Sequence, residues 1–176
     1  MSKLGKKYTT GPTVGITLRE EGELYNDVYS VELGDFAMGT ADYSGAGSLG
    51  TMNLPVTGQL DSMELTVNYR GLSDQIATLQ RPGTHNFIIN IVQDVLDAAT
   101  GDVTATRHVK WAVKCITKTR GGASSEMPNT IDGNLLYEIT RIEEYVDGVE
   151  TINIDKVNFI YRINGTDYMA DIASML

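Results

Sequence analysis

The sequence predicts a mainly β protein, an antiparallel β-sandwich or barrel with one or two short helices. Apolar and polar residues alternate with period two in about eight segments, as in strands with one buried face. Most of these segments are joined by short turns, and Asp147-Gly148 between two strand-like runs is a strong hairpin signal. Only two short segments have helical spacing. Hairpin-connected strands with few helices are typical of antiparallel sheets that pack against a helix.

The N-terminal third combines an arm, two strands and a long loop. Residues 1–12 contain three lysines and Gly11-Pro12, and are predicted to be a mobile N-terminal arm. Residues 13–18 and 25–33 alternate as strands. Residues 34–55 are predicted to be an extended loop because they contain five glycines, which raise the entropic cost of order.

The predicted loop at 34–55 is a candidate interface. A loop of this length is uncommon in a compact domain unless it binds something or is disordered. It also carries apolar residues, and a flexible segment with apolar side chains can order on a partner. An interface loop is therefore favoured over a loop packed on its own surface, with both left open. The apolar residues are Phe36, Met38, Tyr43, Leu49, Met52 and Leu54.

The segment 59–70 is the clearest strand. Met63, Leu65, Val67 and Tyr69 share one face, and Ser62, Glu64, Thr66 and Asn68 share the other. One face is thus dry and the other wet. Residues 72–80 are predicted to form a short helix that Ser73 caps, and Pro82-Gly83 ends it.

A long hairpin is predicted after this helix. The run FIINIVQDVLDAATGDV fits a helix stripe as well as a strand, but its β-branched residues favour a strand. Residues 103–119 alternate in turn and would pair with it. Lys110, Lys114 and Lys118 lie along one face of this second strand, and we expect pairing with acids such as Asp94 or Asp97 as readily as a nucleic-acid patch.

The C-terminal forty residues are predicted to form a hairpin, a further apolar run and a closing helix. Ile152 and Ile154 share one face, whereas Val157, Phe159, Tyr161 and Ile163 have the opposite parity. This switch at Asp155-Lys156 predicts a bulge, a bend or a change of sheet. Asn164-Gly165 ends the run, and Thr166 or Asp167 can cap a helix with Met169, Ile172 and Leu176 on one stripe.

Length and charge narrow the class of protein. The 176 residues suit a single domain, 1–176, and contain no apolar run of about 18 residues that could span a membrane. The N-terminus lacks the apolar segment of a signal peptide, so we expect a soluble protein made in the cytoplasm. The net charge of −9 disfavours sequence-independent binding of nucleic acid, and solubility alone would also explain it.

No pattern of catalytic or metal-binding residues is evident. Cys115 is the single cysteine, and with His85 and His108 it has no zinc-site spacing, so structural or surface imidazoles are the simpler interpretation. Glu20-Glu21 and Glu143-Glu144 are neighbours whose side chains point to opposite faces of a strand. We therefore expect no catalysis, no metal and no cofactor.

The C-terminal run IDKVNFIYRINGTDYMADIASML resembles the signature of the major tail tube proteins of contractile-tailed phages and related phage-tail-like particles. In that signature an acidic turn with glycine leads into an Ile-Asp strand, an Asn-rich strand, an Asn-Gly-x-Asp turn and a terminal helix. Upstream, VYSVEL, the loop at 34–55, Pro55-Val56, MELTVNY and LSDQIATL follow the order of the same family. Arg141 to Glu143 replace the tyrosines and lysine that the family often has, and residues 1–23 have no clear counterpart.

The resemblance implies a structural subunit. In that family, hexameric rings close one continuous β-barrel across their subunits and stack into a rigid tube inside a contractile sheath. The implied partners are further copies of the chain, the sheath, the tape-measure protein and a baseplate or terminator protein, in a virion tail or tail-like particle. DNA would pass without specific binding, since six copies at −9 give −54 per ring.

The candidate functional residues follow from this picture. The subunit-interface candidates are Tyr43, Leu49, Met52 and Leu54, and the candidates for the face that lines the tube are Glu64, Thr66 and Asn68. Two alternatives remain. One is the tube of a DNA-free device, such as a tail-like bacteriocin, an extracellular injection system or a type VI secretion system. The other is a monomeric β-sandwich binding module.

Overall fold

The computed structural model describes residues 8–45 and 49–175. Within these ranges the chain is built mainly from strands, with two six-residue helices. The elements in chain order are β1 (Tyr8–Glu20), β2 (Glu23–Tyr25), β3 (Val28–Leu33), β4 (Met38–Tyr43), β5 (Met52–Leu60), β6 (Glu64–Arg70), α1 (Asp74–Leu79), β7 (Thr84–Asp97), β8 (Val103–Arg120), β9 (Asp132–Val146), β10 (Val149–Asp155), β11 (Ile160–Ile163), β12 (Thr166–Asp167) and α2 (Ala170–Met175).

Ten strands form one antiparallel sheet that branches at β9. The order along its main path is β12-β11-β10-β9-β8-β7-β1-β2. On the side of β9 away from β8, residues 132–138 pair with β6 and residues 141–146 pair with β10. β3 extends the first branch through β6, while β4 and β5 form a separate two-stranded sheet. The prediction of a mainly antiparallel β fold with short helices is confirmed.

The core lies on one face of the branched sheet. Alternate residues of β6 to β9 point into it, including Leu65, Phe87, Val113 and Tyr137, as the period of two in the sequence requires. Helix α1 covers this face with its two buried residues, Ile76 and Leu79. The hydroxyl of Tyr137 donates to the carbonyl of Leu79 at 2.7 Å, which ties the end of the helix to β9.

Several elements agree with the sequence prediction. Ser73 caps α1, and its hydroxyl accepts from the backbone of Ile76 at 3.4 Å. The ambiguous run after α1 is a strand, and β7 and β8 form the expected long hairpin. The segment predicted as one strand at 59–70 is divided, because β5 ends at Leu60 and β6 begins at Glu64.

The N-terminal prediction was wrong for part of its range. Residues 8–12 belong to β1, where Tyr8, Thr9 and Thr10 pair with the distal part of β7. The β7–β8 hairpin supplies a strand edge on which these β-forming residues can pair, and that partner lies far away in sequence. Residues 1–7, the rest of the predicted arm, lie outside the described residues.

The predicted loop at 34–55 was also wrong in its central part. β4 and β5 pair there as an antiparallel hairpin, from Met38↔Leu60 to Tyr43↔Met52. The many glycines suggested a structureless loop, although residues 38–43 and 52–60 keep an extended conformation. Residues 46–48 lie outside the described part of the chain.

The parity switch at Asp155-Lys156 has a different cause from the three that were predicted. β11 reverses direction and pairs antiparallel with β10, from Ile152↔Ile163 to Asp155↔Ile160, so the chain stays in one sheet. Asp155 stabilises the turn because its Oδ1 accepts from the backbone of Val157 and of Asn158, each at 2.9 Å. Its Oδ2 accepts from the Asn158 side chain at 2.7 Å.

The closing helix is present as α2 but is shorter than the predicted stripe. Asp167 accepts from the backbone of Met169 at 3.0 Å, just before the helix begins. Met169 is buried and Ile172 is half-buried, whereas Leu176 lies outside the described residues. Met169, just before α2, is therefore the large apolar side chain that this end of the chain buries, and it packs against Gly58 of β5.

Candidate functional site

The β4–β5 hairpin presents an uncovered apolar face. Tyr43 lies opposite Met52 and Ala41 lies opposite Leu54, so these four side chains share one face of the two-stranded sheet. Tyr43 is 54% exposed, and Met52 and Leu54 are each 45% exposed. β4 and β5 pair with each other and make no more than isolated contacts with any other described element.

The other face of the hairpin is polar. Asp42 and Asn53 lie opposite each other there, and the Asn53 amide donates to Asp42 at 2.7 Å. The hairpin is therefore amphipathic with the period of a strand. The structure brings together three of the four predicted interface residues, Tyr43, Met52 and Leu54, on the apolar face. Leu49 is fully exposed in the segment that connects the two strands.

The three predicted lumen residues also lie together. Glu64, Thr66 and Asn68 are half-buried on the face of β6 opposite the core. Asn68 donates to Ser30 at 2.8 Å and to Glu32 at 2.9 Å, both on β3. Cross-strand hydrogen bonds thus make this face a continuous polar surface over β3 and β6.

Glu138 is the centre of an ionic cluster at the junction of the two branches. Lys156 lies at 3.1 Å and Lys118 at 3.7 Å from its carboxylate, and the backbone of Met63 donates to it at 3.2 Å. Burial opposes ionisation, but hydrogen bonds from Ser62, Lys156 and Met63 lower the pKa of Glu138 below its ordinary value. The cluster joins β6, β8 and β9 to the turn between β10 and β11.

The expected lysine partners were wrong. Lys118 pairs with Glu64 and Glu138, which lie on β6 and β9. Lys110 lies over the ring of Tyr145 at 5.4 Å. The predicted acids are on β7, where the register places Asp94 opposite Thr106. The register was not available from sequence, and it directs Lys110 toward β9 and Lys118 toward β9 and β6.

An apolar groove of about 640 Å³ lies between the base of the hairpin and the C-terminal strands. Residues of β4, β5, β11 and the adjoining turns line it, among them Met38, Gly58, Leu60, Phe159, Ile163, Tyr168 and Met169. Sequence reasoning missed it because its two walls come from segments about one hundred residues apart. A Cβ at Gly58 would lie only 2.4 Å from Cε of Met169, so a larger residue there would have to displace the Met169 side chain.

The buried polar groups are enclosed in the core. Nδ1 of His85 lies 2.9 Å from Glu20, and its Nε2 lies 2.9 Å from the carbonyl of Arg81. Burial, together with the charge of Glu20, raises the pKa of Tyr25 to about 12. Cys115 is buried, and burial raises the pKa of its thiol, which disfavours the reactive thiolate. Glu20 thus joins β1 to β7 through His85 and to β2 through the hydroxyl of Tyr25, which donates to it at 3.3 Å.

Within residues 8–45 and 49–175, no three His, Cys, Asp or Glu side chains lie in a group that could hold a metal ion. The helices of the same ranges are too short to cross a membrane.

Comparison with known proteins identifies the family. The model of the family described as phage tail tube protein FII matches residues 17–176. The chain belongs to this family. A tail tube protein is a structural component, so the uncovered hairpin and groove are surfaces of a structural protein. A search of curated protein sequences found no match.

A solved structure from a contractile injection system has a similar fold. The sheath/tube terminator of the PVC extracellular contractile injection system in its extended state is 14% identical, with a TM-score of 0.51 over 76% of this chain and 95% of that chain. The sheath-tube complex of the same system contains a chain that is 16% identical, with a TM-score of 0.49 over 77% of this chain and 90% of that chain. The likeness to the terminator shows that this tail tube family member shares its fold.

Proposed function

We propose that this protein is the subunit of a tail tube, in which hexameric rings stack into a rigid conduit for DNA inside a contractile sheath. The observation that carries the proposal is the uncovered apolar face of the β4–β5 hairpin in a member of the tail tube family. A two-stranded hairpin is marginally stable by itself, and its apolar side chains favour burial. A neighbouring copy in a ring or stack would supply that burial.

Free strand edges support closure of a barrel across the ring. Among the described strands, β1 pairs with β7 along its length, but β2 covers its other edge only at residues 18–20. The edge at residues 8–17 is thus left without a strand partner. Exposed edges invite pairing with another chain, and a closed ring removes them. We therefore assign this edge to the contact between subunits of one ring.

The polar face of β6 suits the wall of a conduit. Glu64, Thr66 and Asn68 would face the lumen, with no large apolar side chain among them. Lys118 partly compensates Glu64, but the chain as a whole carries −9 and a hexamer would carry −54. Like charge keeps DNA from adsorbing to the wall.

The partners and location follow from this role. The outer surface of the tube would contact the sheath protein, the lumen would hold the tape-measure protein before DNA passes, and the ends would meet baseplate or terminator proteins. The protein would be made in the host cytoplasm and reside in a virion tail or tail-like particle. The tube of a DNA-free contractile device has the same geometry, and the nature of the purified particle distinguishes the two.

Electron microscopy of the purified protein at high concentration tests the proposal. We expect rings with six-fold symmetry or stacked tubes, and a sedimentation profile with a hexamer and larger species. A protein that remains a monomer at every concentration would instead support a monomeric binding module. Particles isolated from producing cells should contain a capsid and DNA if the tube belongs to a phage, and neither if it belongs to a DNA-free device.

A further inference from the structure

We propose that the apolar face of the hairpin of one copy docks into the groove at the base of the hairpin of the next copy. The hairpin face consists of Ala41, Tyr43, Met52 and Leu54, and the groove is the one between β4–β5 and the C-terminal strands described above. This inference rests on the proposed function, in that it requires copies of the chain to assemble. It assigns both halves of one subunit contact to named residues.

The groove is suited to an apolar occupant. Phe159 and Tyr168, on its C-terminal wall, are 46% and 59% exposed, and Met38 and Leu60 form the opposite wall. Met38 and Leu60 are half-buried, so the exposed apolar surface of the groove lies mainly on its C-terminal wall, and an exposed apolar patch of this kind marks a site of interaction. Three large side chains, those of Tyr43, Met52 and Leu54, would enter it from the hairpin face.

Of the three charged residues of the lining, Asp61, Asp155 and Lys156, the last two are paired within the chain. Lys156 donates to the carbonyl of Asp61 at 2.8 Å and to Glu138 at 3.1 Å. Asp155 accepts from Val157 and Asn158. An apolar side chain that enters the groove beside Asp155 and Lys156 therefore leaves these two charges with their internal partners, which reduces the penalty of burying charged groups there.

The occupant is assigned to a second copy for two reasons. The hairpin itself builds one wall of the groove through Met38, Gly58 and Leu60, whereas its distal apolar residues are not part of the lining. The same chain thus carries a protruding apolar face and a separate apolar groove, and mutual docking of copies buries both at once. A contact between different surfaces of identical chains is head-to-tail, and it generates rings or stacked filaments, as a tube requires.

Two complementary variants test the pairing. The hairpin variant carries Met52→Asp and Leu54→Asp, and the groove variant carries Phe159→Asp and Tyr168→Asp. Each should raise the protein concentration needed for assembly by at least about tenfold, the effect of losing one well-buried apolar contact. Met127→Asp is the matched control, since Met127 is 95% exposed and lies outside both surfaces. Its assembly should equal that of the wild type.

Mixing the two variants gives a sharper result. Each variant keeps one intact surface, so an equimolar mixture should form a 1:1 complex in sedimentation and stop there. The mixture is compared with each variant alone at a concentration below the one at which that variant assembles by itself. A groove variant that assembles like the wild type would overturn the pairing and leave tube formation intact.

Disulfide trapping gives a second, milder test. The only native cysteine, Cys115, is buried with no exposed surface, so it should not react. A chain with Leu54→Cys and Phe159→Cys, oxidised after assembly, should give a ladder of cross-linked species, and neither single variant should do so. Assemblies of this chain that yield no ladder would contradict the pairing. A wild-type chain that never assembles would overturn the pairing together with the proposed function.

Discussion

At the scale of single residues, the pair of Glu20 and His85 is the most consequential polar contact in the core. Both ring nitrogens of His85 face oxygen atoms, those of Glu20 and of the Arg81 carbonyl. Both contacts are hydrogen bonds only if the histidine is a cation beside a carboxylate, or if a neutral histidine accepts from a protonated Glu20. Either arrangement needs the Glu20 side chain, because no other described side chain is hydrogen-bonded to Nδ1.

We expect Glu20→Leu to destabilise the fold by about 3 kcal/mol, since it leaves a ring nitrogen buried without a partner. Glu20→Gln should cost less, because its amide can still donate to Nδ1. The measurement is the free energy of unfolding from urea titrations of both variants. Equal stability of the Leu and Gln variants would show that the hydrogen bond to His85 contributes nothing.

Asp155 makes the stability of the β10–β11 turn depend on pH. Burial opposes its ionisation, but hydrogen bonds from Asn158 and Val157 lower the pKa of Asp155 below its ordinary value. The ionised carboxylate is thus favoured by folding. Its contribution is complete above the pKa of the unfolded chain and is lost as the pH falls through the lower pKa of the folded state.

The corresponding prediction compares the wild type with Asp155→Asn. The wild type should be more stable at pH 7, and its advantage should shrink as the pH falls below about 4, the ordinary range of aspartate. Chemical unfolding of both proteins at a series of pH values measures the difference. A difference that stays constant down to strongly acidic pH would contradict the assigned role of the carboxylate.

At the scale of elements, the hairpin separates assembly from folding. Leu49→Asp with Met52→Asp should leave the monomer folded, since both side chains are exposed and neither belongs to the core. The variant should fail to form rings or tubes, because charged groups at an interface resist desolvation. Circular dichroism and electron microscopy report the two properties.

A single pair of variants isolates the face of the hairpin. Met52→Asp places a charge on the apolar face, whereas Thr40→Asp places the same charge on the polar face of the same sheet. Only the first should impair assembly. Tubes formed by the Leu49 and Met52 double variant would refute the interface assignment.

Gly58 controls how the hairpin base meets the C-terminal region. Its φ is +82°, and a Cβ there would clash with Met169, so Gly58→Ala should cost about 1–3 kcal/mol of stability. Gly71 has a φ of +85° with open space around it, so Gly71→Ala measures the backbone strain alone. Gly58→Ala should be the more destabilising change, and Met169→Ala should recover part of the difference. Equal losses of stability in Gly58→Ala and Gly71→Ala would show that the Met169 side chain moves aside without destabilising the fold.

At the scale of the whole molecule, we expect net charge to determine whether a tube binds DNA. Wild-type tubes should not retain double-stranded DNA even at low salt, because each copy of the chain carries a net charge of −9. Thr66→Lys with Asn68→Lys should create salt-dependent retention if the face of β6 lines the lumen. Co-sedimentation of tubes with linear DNA measures both. Retention by the wild type would contradict a repelling wall, and no retention by the variant would place that face elsewhere.

The local pattern predicted much of the fold. The alternation in β6, β7 and β8 identified the strands and their buried faces, because side-chain period and burial are properties of each strand alone. Ser73 and the residues after it identified α1 for the same reason. The strands at 38–43 and 52–60 were in part predicted as a loop, because the five glycines of residues 34–55 were taken as a sign of irregular structure. Residues 8–12 were assigned to an arm, since β7 supplies their partner from far along the chain.

The candidate site shows the same division. The apolar residues Tyr43, Leu49, Met52 and Leu54 were predicted from sequence as candidates for an interface. Their arrangement on one face of a hairpin depended on the cross-strand register, which Tyr43↔Met52 and Ala41↔Leu54 establish. The groove was invisible, since it exists only where β5 approaches the C-terminal strands.

The sequence by itself determined the mainly antiparallel β class and the residues of a tail tube signature, because composition, period and turn residues are local properties. Only the tertiary structure decided that Asp155-Lys156 reverses the chain, that β9 carries two branches, and that Gly58 meets Met169. Each of these depends on which distant strands pair and in what register. Which strands pair depends on many long-range contacts that stabilise the fold together, so the pairing cannot be read from any single segment.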